Sequence, residues 1–190
     1  GVDLLTLNSN AEATTYDLSA IGDSLTLGGD KDITVKVAGT QLTATKVIKN
    51  SNTAKTTIEI DANSANLTKV ENVSQVVLGA TYNNTLTLNS DQVVAASKDQ
   101  NSVTLKNAKT DGKGTAIFKA LDNGKDAAVV VTTLAVDNTN KFAELRLDAS
   151  DDKLTVSTLT ANGAAIVLTG DKDITLTSVG GAKEITSSST

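Results

Sequence analysis

One structural phrase is spelled three times along this chain: a short aliphatic-Thr-aliphatic run, a small polar turn, then another such run. Near the end it reads Leu145-Arg-Leu-Asp-Ala-Ser-Asp-Asp-Lys-Leu154-Thr-Val, followed by Ile166-Val-Leu-Thr-Gly-Asp-Lys-Asp-Ile174-Thr-Leu. A looser version begins at Ile58, and the first closes with Leu25-Thr-Leu-Gly-Gly-Asp-Lys-Asp-Ile33-Thr-Val. Gly29 to Thr34 match Gly170 to Thr175 letter for letter. Repetition of this kind points to stacked units that build shape. The copies start near Leu5, Ile58 and Leu145, so their spacing is uneven and the repeat is degenerate.

Within the phrases, aliphatic residues alternate with Thr or a charge. Leu5-Thr-Leu7, Leu25-Thr-Leu27, Ile33-Thr-Val35-Lys-Val37, Leu86-Thr-Leu88, Val103-Thr-Leu105 and Leu154-Thr-Val156 are examples. A period of two puts the aliphatics on one face of a strand and the polar residues on the other. Gly, Asn, Asp and Ser clusters separate these runs. Two stretches are ambiguous, with Ser90 to Ser97 able to form a short helix and Thr115 to Leu121 readable as helix or strand.

The expected fold is all-β, a degenerate right-handed parallel β-solenoid, with an antiparallel β-sandwich as the alternative. Internal repetition, small residues at the turns and an aromatic share of only 2% favour the solenoid, because sandwich cores are commonly anchored on bulky rings. Asn123-Gly124 favours the sandwich, since Asn-Gly is a hairpin signal and a hairpin is antiparallel. We expect a single domain over residues 1–190, with a weak possible break at 106–126.

Absences restrict function. Pro is missing, where an average usage of about 5% gives roughly nine in this length; repeated strands have reason to avoid a residue that removes a ladder donor. Cys is zero, so there is no disulfide and no thiolate ligand or nucleophile. His is zero as well, which removes Ser-His-Asp, Cys-His and zinc hydrolase arrangements. The expectation is a protein that is not an enzyme; a carboxylate-pair glycosidase or lyase is the one catalytic class kept in view. A net charge of -5 argues against nucleic acid, which calls for a basic stripe. The longest apolar run, Ala127 to Val131, is strand-sized, so no transmembrane segment is expected. Gly1 opens the chain with no charged leader or apolar h-region, an expectation of a removed leader, an excised piece or another export signal.

Cation chemistry is the remaining candidate. Gly-Asp-Lys-Asp-Ile-Thr at Gly29 and Gly170 is partly like the Gly-rich calcium repeat of β-rolls, but the third Gly is absent and Lys31 or Lys172 stands in the turn. We therefore read it as a tight polar turn. Asp137 to Asn140 and Asp148 to Asp152 carry hard oxygen donors without the spacing of an EF-hand. Calcium is possible, and its expected ligands are Asp148, Asp151 and Asp152, three carboxylates within five residues. Asn72 and Asn83 open glycosylation-like triplets.

The phrases Leu-Asp-Ala-Ser…Leu-Thr-Val and Leu-Thr-Gly-Asp-Lys-Asp-Ile-Thr-Leu, with the acidic, Thr- and Asn-rich character, resemble Gram-negative bacterial surface-layer proteins of the Campylobacter type. They also resemble large RTX-type adhesins exported by type I secretion. The resemblance implies a non-enzymatic structural domain on the bacterial cell surface, extracellular, contributing to a protein lattice or spacer, and one segment of a longer protein. It implies self-association or neighbouring surface-protein domains as partners, with calcium bridging lattice contacts. An adhesin or carbohydrate-binding module is the alternative, with Tyr16 and Tyr82 as its candidate platform.

Overall fold

Alternating strands here close into coils instead of hairpins. The structure is a computed structural model and describes residues 4–18, 24–38, 47–61, 64–66, 75–78, 85–89, 102–107, 113–122, 127–139 and 141–188. Among them there is no helix, and every strand pairing is parallel. The protein is a parallel β-solenoid, and the antiparallel sandwich is excluded.

One wall is an eight-stranded sheet. It is built, in spatial and chain order, from β2 (Thr14–Leu18), β4 (Ile33–Ala38), β6 (Thr56–Asp61), β8 (Gln75–Leu78), β10 (Ser102–Asn107), β12 (Val129–Val136), β14 (Leu154–Thr160) and β16 (Ile174–Gly180). The intervening strands form two further sheets. β1 (Leu4–Ser9), β3 (Ser24–Gly29) and β5 (Val47–Asn50) make one. The other contains β7 (Ser64–Asn66), β9 (Thr85–Asn89), β11 (Thr115–Lys119), β13 (Glu144–Asp148), β15 (Ala165–Thr169) and β17 (Ile185–Ser187). Each coil thus contributes one strand to the long sheet and one to a facing sheet.

Period two explains the burial. In β13 the inward residues are Leu145 and Leu147, and in β11 they are Ala116 and Phe118. In β12 the pattern changes phase: Val129 and Val131 are buried, then Leu134 and Val136, so the strand bends between them. β14 repeats the shift with Val156 and Leu159. Stacking in register turns these residues into rows, such as Val131–Val156–Leu176 and Leu145–Ile166–Ile185. A single cluster of buried Leu, Val, Ile, Ala and two Phe residues fills the interior.

Two expectations from sequence are corrected. Asn123-Gly124 lies outside the described residues, but the strands flanking it do not form a hairpin. β11 pairs with β9 and β13, whereas β12 pairs with β10 and β14, so the segment joins two walls of the coil. The phrase begun at Ile58 is also out of phase with the other two. Ile58 sits on β6 in the long sheet, while Leu5 and Leu145 sit on β1 and β13 in the facing sheets. Thr115 to Lys119 is strand, and Ser90 to Ser97 lies outside the described residues.

The uneven spacing has a simple origin. Leu154 stacks beneath Ile174, whereas Ser102 stacks beneath Thr133, so the connections absorb a variable number of residues while the strands keep register.

Candidate functional site

Among the described residues, the Gly-Asp-Lys-Asp motifs and the acidic cluster at Asp148 to Asp152 lie at corners where one wall turns into the next. At the first Gly-Asp-Lys-Asp corner, Gly29 has a φ of 105° and Gly170, in the second, has 103°. Both are left-handed positions that glycine fills without a Cβ penalty. Space demands glycine as well: a Cβ on Gly29 would meet the Ser9 carbonyl oxygen, with the Ser9 N and C atoms at 2.7 Å. On Gly170 it would meet the Ala149 carbonyl carbon, with Ser150 N at 2.5 Å and Ala149 O at 2.6 Å.

Close approach allows the corners to bond each other. The N–H groups of Asp30 and Lys31 donate to Ser9 O at 3.0 and 2.9 Å, and Lys172 N–H donates to Ala149 O at 3.1 Å. The motif is therefore a device that seats one corner on the corner below. Its lysines pair with the preceding carboxylates, Lys31 with Asp30 at 3.1 Å and Lys172 with Asp171 at 3.2 Å. These pairs are exposed, and such contacts contribute about 0–1 kcal/mol. Asp32 does something else: its Oδ1 accepts the N–H of Lys55 in the next coil at 3.2 Å.

Asn52 is the corner residue that sequence reading missed. It is buried, and its Nδ2 donates to Gly28 O at 3.0 Å and Lys31 O at 2.9 Å, while its Oδ1 accepts Ala54 N–H at 2.6 Å. One side chain thus satisfies three backbone groups and clamps the corner below it. Nothing in the run Asn50-Ser-Asn-Thr53 marks its third residue, which only the stacking singles out. Replacing Asn52 with Ala is expected to cost about 2 kcal/mol, because buried partners lose their hydrogen bonds. Asn52→Asp should cost a similar amount, since a carboxylate cannot donate. Urea unfolding of both variants checks this, and a change below about 0.5 kcal/mol would contradict the clamp.

The carboxylates expected to bind calcium are adjacent in the chain but committed to different partners. Asp148 Oδ1 accepts the N–H of Ser150 at 3.0 Å and its hydroxyl at 2.5 Å. Asp151 is ion-paired with Lys119 of the coil below at 3.0 Å. Asp152 is buried; its Oδ1 accepts Lys153 N–H at 2.7 Å, and its Oδ2 has no hydrogen-bond partner. Among the described residues no three acidic side chains assemble into a metal-binding group. An ion held by all three would compete with Lys119 for the Asp151 carboxylate. In the other acidic cluster, Asp137 Oδ1 accepts the N–H of Thr139 at 3.0 Å.

Tyr16 is half-buried against the core, and its hydroxyl donates to Asn8 O at 3.0 Å. Tyr82, Asn72 and Asn83 lie outside the described residues. An open recess of about 220 Å³ lies at the second Gly-Asp-Lys-Asp corner, lined by Thr169, Gly170, Lys172 and Asp173 among others.

No protein-family model, curated protein or solved structure matches the chain. Among the described residues no helix is long and apolar enough to cross a membrane.

Proposed function

We propose that the chain is a non-catalytic structural module of a bacterial surface-layer protein, a lattice segment or spacer on the cell exterior. The observation that carries this reading is the use made of the polar groups at the corners. Asn52, Asp32, Ser9 and the Gly-Asp-Lys backbone bond to neighbouring coils, and Asp151 pairs with a lysine of the coil below. Side chains that an enzyme would aim at a substrate here hold one coil to the next. Parallel ladders then run from coil to coil, and the resulting rod presents outward Thr and charged residues for contacts with neighbouring domains.

Surface-layer character rests on the sequence resemblance, and localisation outside the cell follows from it. Negative-stain imaging of concentrated protein, with and without calcium, tests the reading. Sheets or arrays are the expected result. Dispersed single particles under both conditions, together with a saturable signal on a glycan array, would overturn it in favour of a carbohydrate-binding module.

A further inference from the structure

Three corners are held by a side-chain amide that donates to a backbone carbonyl: Asn52 to Gly28 and Lys31, Asn107 to Lys113, and Asn162 to Val136. Asn52 precedes Thr53 and Asn107 precedes Ala108, but Asn162 precedes Gly163. That difference is chemical. Asn is a thermally labile residue, and its side-chain amide carbon is open to attack by the backbone nitrogen of the residue that follows. A side chain on that residue hinders the approach, most of all when it is β-branched, and glycine leaves the approach clear.

The corner that contains Asn162 is a tight turn set between two walls. β14 ends at Thr160 on the long sheet and β15 begins at Ala165 on the facing sheet, so residues 161–164 make the change of direction. Ala164 N–H donates to Ala161 O at 3.0 Å across the turn, and both central residues have positive φ, 48° at Asn162 and 94° at Gly163. These are the signs of a type I′ turn, which suits Asn-Gly because Asn tolerates the left-handed region and Gly has no Cβ to oppose it. Such a turn ordinarily closes a hairpin. Here it joins two parallel walls, and the coils on either side hold it. Asn162 Nδ2 donates to Val136 O in the coil below at 2.6 Å, and Gly163 N–H donates to Gly181 O in the coil above at 2.6 Å. Gly181 rests on Asn162 so closely that a Cβ on it would lie 3.1 Å from Asn162 N. Both reacting groups are therefore engaged: the nitrogen that would attack gives its hydrogen to one neighbouring coil, and the amide that would be expelled is tied to the other. Asn162 is half-buried and Gly163 is exposed, so water is within reach.

We propose that Asn162 is a latent modification site, a clamp that turns into an acid when its corner opens. Once its hydrogen bonds are broken, the Gly163 nitrogen bonds to Asn162 Cγ, the Cγ–Nδ2 bond breaks, and Nδ2 departs as ammonia with the proton that the nitrogen gives up. Water then opens the cyclic imide at one of its two carbonyls, leaving Asp or its β-linked isomer at position 162. Neither product restores the clamp. A carboxylate has no hydrogen to donate to Val136 O, and the β-linked isomer lengthens the backbone inside a turn packed against Gly181. Opening of the corner is thereby recorded and made permanent. The site stands independently of any surface-layer role.

The test uses the full chain, held at neutral pH either folded or in urea, with peptide mapping by mass spectrometry to follow amide-to-acid conversion at 162. In urea, Asn162 should convert at a rate comparable to that of Asn123, which also precedes Gly. In the folded protein its conversion should be at least about tenfold slower, a factor set by how seldom the corner opens. Asn162→Asp installs one product directly and should speed hydrogen exchange at Gly163 and Ala164 by at least about tenfold, the effect of losing one hydrogen bond to a carbonyl left unpaired. Asn162→Gly keeps a backbone suited to positive φ and removes the amide alone, so it should speed exchange at the same two residues, with an unchanged far-UV circular dichroism spectrum reporting that the chain still folds. Equal conversion rates in the folded and unfolded protein would overturn the proposal, as would exchange at the corner that neither substitution alters. Array formation in the imaging experiment bears on neither readout.

Discussion

Gly170→Ala is expected to destabilise the protein by about 3 kcal/mol or more, since it combines backbone strain with a backbone collision. Holding a non-glycine residue at a φ of 103° costs on the order of 1–3 kcal/mol. Its Cβ would also enter the space of the Ala149 carbonyl, so either the corner lifts and loses the Lys172 to Ala149 hydrogen bond or the coil below distorts. For a chain of this size each kcal/mol lowers Tm by about 2–4 °C, giving a fall on the order of 6–12 °C. Two companions separate the causes. Gly163 also has a positive φ, 94°, but its Cβ would meet only Lys141 Nζ at 3.7 Å, the movable end of a long side chain. Gly163→Ala should therefore show strain alone, about 1 kcal/mol. Gly180 does not hold a positive φ, and its Cβ would meet only Leu159 O at 4.0 Å, so Gly180→Ala should be close to neutral. Thermal unfolding that ranks the three variants in any other order would remove the corner-seating role given to Gly170, and with it that of Gly29.

Much of this architecture was legible in the chain because period two and the repeated corner are local signals. Leu25-Thr-Leu27, Ile33-Thr-Val35, Leu145-Arg-Leu147 and Ile174-Thr-Leu176 all fall in strands with their aliphatics turned the same way. The identity of Gly29–Thr34 with Gly170–Thr175 marks a true structural equivalence, down to the positive φ at its glycine. Which wall a strand joins is a different kind of information. Alternation in β6 looks the same whether its neighbour is β5 or β4, so the copy at Ile58 could be matched by pattern to Leu5 and still lie on the opposite wall. Asn123-Gly124 misled for the same reason: turn chemistry is local, while the choice between folding back and turning a corner depends on the coils above and below.

The site was less legible than the fold. Asp148, Asp151 and Asp152 are close in sequence, but Asp148 bonds Ser150, Asp151 reaches Lys119 and Asp152 is buried. Proximity in the chain therefore says little about convergence on one ion. Asn52 escaped notice because its importance comes from carbonyls of the preceding coil, Gly28 and Lys31, more than twenty residues earlier.

Phe118→Ala is expected to be the most damaging change to the core, at about 3–5 kcal/mol. The chain has only two Phe residues, and Phe118 and Phe142 head the fully buried side chains by size. Phe118 stands in register with Leu147 of the next coil, within an interior otherwise made of Leu, Val, Ile and Ala. Truncation leaves a void that neighbouring strands are poorly able to close, because parallel ladders on both sides fix their spacing at about 4.8 Å. Position along the rod sets the size of the effect, since each coil contacts mainly its neighbours. Ile185, on β17, is 50% exposed, and Ile185→Ala should change stability by no more than about 0.5 kcal/mol. Denaturant unfolding of the pair measures the contrast, and native-state hydrogen exchange locates it: Phe118→Ala should release the amides of β11 and β13, while Ile185→Ala should affect β17 alone. Similar losses from the two substitutions would mean that burial does not set the cost of truncation, and the description of a core carried by its buried rows would have to be abandoned.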